Sequence, residues 1–445
     1  MKLKEQMIKK LIKKYNIQHR EDVVRFIENN PENLRVEELS RIAELINNGR
    51  SDTAAYYTDP DTLLTLEKHL PEIEKKVIRI LEPSVGVGNF LQTIIDKYSY
   101  AERVIIDVND IDENSIKLTK LLNRYRRVPK NVEINYNVGD FLCPFFNKKY
   151  DLVIGNPPFL RLNKKKGLSD YAIRFNDYIT TNISGFFLQK AIDISDHIVL
   201  IMPKYFLNNP DFKNTRNRVK KSSIDTIIDF GEKGFKGVLI ETIAIFINTQ
   251  KKPDRTLSYS VTKDLYNSQK QSLLTSEDYP YWLLYRNEYF NNIASKMKFG
   301  VFSVFRDRQL TNSVIKSVGD IPVLKSRNIN RDGSGITSIE GYDGFIDSDE
   351  INRFTVARYL NRDDVYLSPN MTYYPRVIKK PKKTLVNGSV AILEKVSDEE
   401  ITNEQLKFLN SSTFEKFYQI ARNYSTRSLN IDRNSVYFFG LLKEQ

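Results

Sequence analysis

The chain has 445 residues, 40% of them hydrophobic and 28% charged, with a net charge of +12 and an isoelectric point near 9.3. That length supports two or three domains with a sizeable core, and the composition is that of a globular chain, not a disordered one. A single cysteine, Cys143, rules out an internal disulfide framework, and three histidines (His19, His69, His197) far apart in sequence offer no zinc-binding spacing, so no metal is expected. No apolar run is long enough to span a bilayer, and a cytoplasmic protein without membrane contact is expected. A basic surplus of this size favours a polyanionic partner, nucleic acid being the commonest.

Residues 1 to 50 read as helical. "MKLKEQMIKKLIKKY" lines Leu3, Met7 and Leu11 along one face, and "PENLRVEELSRIAELINNGR" stops at Asn47-Asn48-Gly49. From residue 77 strands and helices alternate. "VIRILEP", "RVIIDVND", "VEINY", "YDLVIGN", "HIVLIMP", "IDTIIDF" and "ETIAIFINT" read as strands; "NFLQTIIDKY", "ENSIKLTKLLNRY" and "ISGFFLQKAIDIS" read as helices. Short apolar strands separated by helices predict a mostly parallel sheet covered on both faces, an α/β fold of the Rossmann-like kind. The rhythm fails after Lys251-Lys252-Pro253-Asp254-Arg255, and the remainder of the chain is irregular and rich in Tyr, Asn, Lys and Arg. Three parts are expected: a helical extension over 1–50, an α/β domain over 51–250, and a mixed α+β domain over 251–445.

The strand ends carry the chemistry. In "ILEPSVGVGNFL", Gly86 and Gly88 allow the backbone to approach a ligand closely where a strand gives way to a helix. The third glycine of a dinucleotide fingerprint is replaced by Leu91, and there is no Gly-Lys-Ser/Thr, so this is no phosphate cradle. Glu82 would repel a pyrophosphate but suits a cationic ligand. Asp110, ending the second strand about twenty residues on, is a candidate acceptor for ribose hydroxyls, while Asp112 reads as a helix cap. After the third strand, "GDFL" offers Asp140 to an adenine amino group and Phe141 to its ring. Adenosine held without a phosphate clamp, beside a carboxylate, is the profile of S-adenosylmethionine.

The fourth strand stops abruptly in "DLVIGNPPFLR". Two prolines end any hydrogen-bonded ladder and lock the carbonyls beside them. An exocyclic base amine is a poor nucleophile because its lone pair is delocalised. Two acceptors, the Asn156 side-chain oxygen and the Pro157 carbonyl, can grip both amine hydrogens and turn the lone pair towards an incoming methyl group. Phe159 offers a face on which an extruded base stacks.

With Asn156-Pro157-Pro158-Phe159 preceded by "LEPSVGVGNF" and "AAYYTDP", the sequence resembles the adenine-N6 DNA methyltransferases of restriction-modification systems in the gamma arrangement, the Taq-type methylases. The resemblance implies a catalytic group of Asn156, Pro157, Pro158 and Phe159. It implies a cofactor-binding group in which Thr58 meets the methionine part of S-adenosylmethionine, Glu82 its amino group and Asp110 its ribose. Asp140 and Phe141 would hold the adenine with Phe187 on its other side, and Ser84, Gly86 and Ile111 complete the set. Pieces of the C-terminal half, "IPVLKSRNIN", "KKPKKTLVNGSVA" and "LKFLNSSTFEKFYQIARNYSTRSLNI", resemble the family's target-recognition region. The hallmark aromatic is Phe in place of the commoner Tyr, and the second wall of the base pocket falls on Phe246 or Ile247.

The expectation is therefore a site-specific enzyme that methylates the N6 amino group of a flipped-out adenine in double-stranded DNA. It would act as a monomer, with a separate restriction endonuclease as genetic partner, since 50 leading residues are too few for a nuclease domain. Arg327, Lys379, Lys380, Lys382, Lys383, Arg422 and Arg427 are expected to contact DNA. Methyltransferases acting on guanine-N2 of RNA or glutamine-N5 of proteins share the Asn-Pro-Pro-aromatic motif, and a catalytically silent recognition subunit would keep the fold; both stand as alternatives.

Overall fold

The computed structural model describes residues 5–46, 60–144, 147–163, 167–234, 240–372, 374–426 and 430–443. The chain forms two compact units, Met1–Ser272 and Leu273–Gln445.

The first unit opens with three helices, α1 (Glu5–Lys14), α2 (Arg20–Asn29) and α3 (Val36–Ile46), followed by α4 (Pro60–Glu67). Their apolar stripes do not close on themselves. Ile8, Phe26, Ile27, Leu39 and Ile42 share one core cluster with Val87 and with Leu118, Leu121 and Leu122. The helical extension is thus built into the α/β part, beside its glycine turn.

The α/β part runs β1 (Val77–Glu82), α5 (Asn89–Tyr98), β2 (Arg103–Asp110), α6 (Glu113–Asn123), β3 (Val132–Val138), β4 (Tyr150–Gly155), α7 (Leu168–Phe175), α8 (Ile183–Ile194), β5 (Ser195–Pro203), α9 (Lys213–Val219), β6 (Ser223–Gly231) and β7 (Thr242–Asn248). These strands align in the order 3-2-1-4-5-7-6, and the sheet continues through β8 (Arg255–Ser260) and β9 (Leu265–Lys270). β7 is antiparallel to both its neighbours, while β1 to β5 run parallel. Every residue of β4 and β7 is buried, as expected of strands covered by helices on both faces.

Two expectations change here. β8 pairs in parallel with β6, and β9 pairs with β8, so residues 255–270 extend the main sheet and the units divide at Ser272/Leu273, not at 250. Lys251-Lys252-Pro253 is a turn within the first unit. The short, half-polar strands "RTLSYS" and "LYNSQK" lack the apolar runs of the sheet centre because they form its edge.

In the second unit β10 (Met297–Lys298) pairs with β18 (Leu441–Leu442). β11 (Phe302–Arg306), β17 (Val390–Lys395), β14 (Tyr366–Pro369) and β15 (Ile378–Lys379) form an antiparallel sheet in that order. β13 (Gly344–Ile346), β12 (Ile321–Leu324) and β16 (Leu385–Val386) form a smaller one. Helices Asn403–Leu409 and Ser412–Ala421 come after β17 and before β18 in the chain, and the segregated sheets and helices give the α+β texture expected. Among the described residues no helix is long and apolar enough to cross a membrane.

Candidate active site

Parallel strands end at one edge of the sheet, and β3, β2, β1 and β4 are adjacent there. That edge collects Asp140, Asp110, Glu82 and Asn156, residues up to 74 positions apart made neighbours by the strand order.

Glu82, the last residue of β1, is 1% exposed, and its Oε2 has no hydrogen-bond partner among the described residues. Burial pushes its pKa well above the ordinary carboxyl range; Arg126 opposes the shift and Asp110 adds to it. Asp110 is better supplied: its Oδ2 accepts from the Gly86 N–H (2.9 Å) and its Oδ1 from the Asp112 N–H (2.9 Å). Burial raises its pKa, and those two amides work against the rise. Asp112 caps α6 by accepting from the Asn114 N–H (3.1 Å), as the sequence predicts.

The glycine turn is left-handed at both glycines, Gly86 (φ 56°) and Gly88 (φ 76°). A Cβ on Gly88 would lie 2.9 Å from Leu91 Cδ1 and 3.2 Å from Arg126 Nη2, whereas one on Gly86 would meet nothing within 4 Å among the described residues. Gly88 is therefore packed from below, and among the described residues Gly86 borders open space. The turn is held by two residues that sequence reading missed. Thr119 Oγ1 donates to the Gly86 carbonyl (2.8 Å), and the Arg126 guanidinium donates to the carbonyls of Gly88 (2.7 Å) and Val87 (3.3 Å). Burial lowers the Arg126 pKa to about 10, with Glu82 opposing. In "RYRRV" Arg126 looks like one of several solvated arginines; only the packing distinguishes it.

Asp140 accepts from the Leu142 N–H (2.9 Å) and from Tyr171 (3.3 Å), and Arg174 stands 3.6 Å away. Tyr171 and Arg174 lie on α7, another contribution that sequence reading missed. Phe141 and Phe187 do meet, but on each other, with ring centroids 5.0 Å apart and tilted 48°. An adenine between them would need about 7 Å, twice the carbon–carbon contact distance. The expected sandwich is therefore replaced by a packed pair that is 1% and 6% exposed, while Ile111 is 70% exposed just beyond Asp110. Thr58 lies outside the described residues.

Asn156 is half-buried, and its carbonyl accepts from Ser84 Oγ (3.2 Å), tying the fourth strand end to the first. Beyond it the chain is held on the segment entering α8. The Ile183 N–H donates to the Leu160 carbonyl (2.9 Å), the Leu162 N–H to that of Thr181 (2.7 Å), and Asn182 Nδ2 to that of Phe159 (3.2 Å). Asn182 also caps α8. Pro157 is buried, Pro158 half-buried, and the Phe159 ring 6% exposed within the main core cluster.

β7 runs antiparallel, so Thr242 pairs with Pro203 and Ile245 with Leu200, the partner of Gly155 just before Asn156. Phe246 pairs with Val199, next to that level, and belongs to the same core cluster as Phe159, while Ile247 does not; both are buried. The same edge carries a buried ion group, Lys204 at 2.8 Å from Asp229 and 3.6 Å from Glu241. A cavity of about 550 Å³ opens at the opposite edge, where Lys75 pairs with Asp151 and Asp196, away from every residue named above.

Strand order 3-2-1-4-5-7-6 with an antiparallel seventh strand, and acid residues at the ends of its first strands, define the fold of the S-adenosylmethionine-dependent methyltransferases. Within that class the family model of the Eco57I restriction-modification methylases matches residues 89–235, so the resemblance to restriction-modification methylases read from Asn156–Phe159 is found independently. The type II methyltransferase M.HincII of Haemophilus influenzae is 28% identical over 178 residues, covering 37% of this chain and 31% of that protein. Malonyl-[acyl-carrier protein] O-methyltransferase 2 of Ilyobacter polytropus is 32% identical over 104 residues, covering 23% of this chain and 37% of that protein. The chain thus spans about a third of the length of the curated relatives it matches. Among solved structures, the type IIL restriction-modification enzyme MmeI in complex with DNA aligns over 97% of this chain and 67% of its own, at 14% identity and a TM-score of 0.48.

Proposed function

We propose that this chain is a site-specific DNA methyltransferase of the restriction-modification type, acting on the N6 amino group of an adenine turned out of the duplex. The observation that carries the reading is the line of Asp140, Asp110, Glu82 and Asn156 across four adjacent strand ends. Among the described residues, the unpartnered Glu82 Oε2 and the open space over Gly86 fit a cationic nucleoside without phosphates. When bound, S-adenosylmethionine supplies a methyl group on a sulfonium, an electrophile that needs no metal to activate it.

The chain's own residues then bind the cofactor, direct the target amine and support both. Glu82 binds the cofactor's ammonium, Asp110 accepts from the ribose, and Asp140 with Ile111 holds the adenine over the Phe141–Phe187 pair. Asn156 Oδ1 and the Pro157 carbonyl accept from the two hydrogens of the target amine and direct its lone pair, a contribution of positioning and fixed dipoles. Ser84 and Asn182 keep that acceptor pair in place through the carbonyls of Asn156 and Phe159. Phe159 provides the face for the extruded base. The second unit chooses the DNA site.

The experiment is direct. The protein is incubated with methyl-labelled S-adenosylmethionine and mixed-sequence duplex DNA, which is then digested to nucleosides and analysed by mass spectrometry. Label in N6-methyladenosine is expected; label in a cytosine or guanine derivative, or none in DNA, refutes the reading.

A further inference from the structure

In the second unit, the segment after β12 folds into a tight hairpin. Ile329 pairs with Ile336, the Asn330 N–H donates to the Gly335 carbonyl (2.9 Å), and the Thr337 N–H to that of Asn328 (2.8 Å). Asn328, 3% exposed, fastens its base through the Thr337 carbonyl (3.1 Å) and Asp343 (2.7 Å). Half-buried Arg376 holds it from beside, donating to the carbonyls of Ile329 (3.2 Å), Ser326 (3.4 Å) and Tyr374 (3.3 Å).

Around this frame the cations lie on rings. Lys325 Nζ is 4.3 Å and the Arg327 guanidinium carbon 4.8 Å from the centroid of Tyr342, and Arg331 is 4.2 Å from that of Tyr374. Arg327 and Arg331 are exposed. No carboxylate is in ion-pair contact with Lys325, Arg327, Arg331 or Arg376 among the described residues. Asp343 spends its oxygens on Asn328, Ser338 and the Ile339 N–H, and Asp332 accepts from the Ser334 N–H. Burial, and after it the charge of Arg331, holds the Arg376 pKa below its usual value. Asp343 partly offsets Lys325 electrostatically, and the positive surplus that remains is stabilised by an arriving polyanion. Apolar side chains accompany them: Ile336, Met371 and Tyr374 are 41%, 60% and 40% exposed.

We propose that this hairpin is a duplex-reading element, in which Arg327 and Arg331 contact base edges in the DNA major groove. It rests on the reading of the chain as a DNA methyltransferase. A phosphate asks only for positive charge, and a mobile lysine provides it. A guanidinium held within 5 Å of a ring centroid on a hydrogen-bonded hairpin is restrained before DNA arrives, and its two-pronged donor face suits guanine O6 and N7. The exposed Ile336 and Met371 suit thymine methyl groups in the same groove.

The test uses the full chain and a plasmid library whose methylated sites are mapped by sequencing. Arg327→Ala and Arg331→Ala are surface changes, and unchanged circular dichroism and S-adenosylmethionine affinity establish that each variant is intact. At least one variant should lose about ten- to a hundredfold of its discrimination at a single position of the recognition sequence, with the remaining positions unaffected. If both variants keep the wild-type site and only weaken equally on all sequences, with a shallower salt dependence, the arginines touch phosphate and the base-reading proposal is refuted. A wild-type protein that methylates a defined site while both variants behave identically to it also refutes the hairpin alone. A wild-type protein that methylates no DNA refutes the underlying reading and this one with it.

Discussion

Replacing Glu82 with Gln should strengthen the cofactor-free protein and weaken its hold on the cofactor. The Glu82 carboxyl is buried with one oxygen unpartnered, and burial raises its pKa well above the ordinary value of 4.5. In the unfolded chain it loses its proton near 4.5. As pH rises past that point the unfolded state releases a proton that the folded state retains, so this group's stability is present below 4.5 and lost on the way up to the folded pKa. Gln has no proton to release. At pH 5 the two proteins should therefore differ little, and at pH 8 the variant should gain about 1–3 kcal/mol, the usual cost of one uncompensated buried polar group. Against this, the variant loses a charge-assisted bond to the cofactor's ammonium, roughly 1.5–3 kcal/mol or about ten- to a hundredfold in affinity. Wild-type affinity should also rise as pH climbs from about 5 towards 8, below the pKa of the amine itself, as the arriving ammonium expels the Glu82 proton. Thermal unfolding and calorimetry with S-adenosylmethionine over that pH range measure both effects. A variant that is less stable than wild type at pH 8, or that binds the cofactor equally well with the same pH dependence, would show that Glu82 is not the ammonium acceptor.

Asn156→Ala should abolish methyl transfer while cofactor and DNA dissociation constants stay near wild type, because the amide acts on the amine only as the bond forms; residual turnover above a few per cent of wild type contradicts the assignment. The two glycines should separate stability from binding. Gly88→Ala meets Leu91 and Arg126 as well as a left-handed backbone, so denaturant melts should show a loss of more than about 1–2 kcal/mol, the strain alone. Gly86→Ala, with open space around it, should cost only about that strain yet impair cofactor binding, and unaffected binding would place the cofactor elsewhere. Lys380→Ala should destabilise the protein in denaturant melts without changing the salt dependence of DNA binding, whereas Lys379→Ala should lower that salt slope by about one. The contrast fails if the Lys380 variant is as stable as wild type.

That last pair shows where the sequence stops. Lys379, Lys380, Lys382 and Lys383 form one basic run, and all four are expected on DNA. Lys380 is instead 1% exposed, donates to the carbonyls of Leu360, Arg362 and Pro381, and has its pKa lowered to about 8 by burial. Arg422 is likewise 4% exposed and bonded to Tyr418 and the Asn430 carbonyl. Arg427 lies outside the described residues. A strand alternates its faces, so the charge of neighbours in a run says nothing about which of them turns inward.

The seven strands up to residue 248, the leading helices and α5, α6 and α8 were legible because their apolar residues repeat at strand or helix spacing, while α4, α7 and α9 were not read. The candidate acceptors were legible because each lies at or just past a strand end. Local order of that kind is written along the chain. Three features were decided only by tertiary structure. Phe246 joined the core cluster of Phe159, and Ile247 did not, because β7 enters the sheet antiparallel and so fixes which residue faces that side. β8 and β9 joined the first unit because β8 pairs with both β6 and β9, leaving half-polar β9 as the sheet's edge strand. Thr119 and Arg126 came to hold the glycine turn, and the α1–α3 helices to pack beside Val87, through contacts between segments far apart in sequence. Periodicity reports which residues seek the interior; which partner each meets there is set by how whole elements pack, and no single element encodes that.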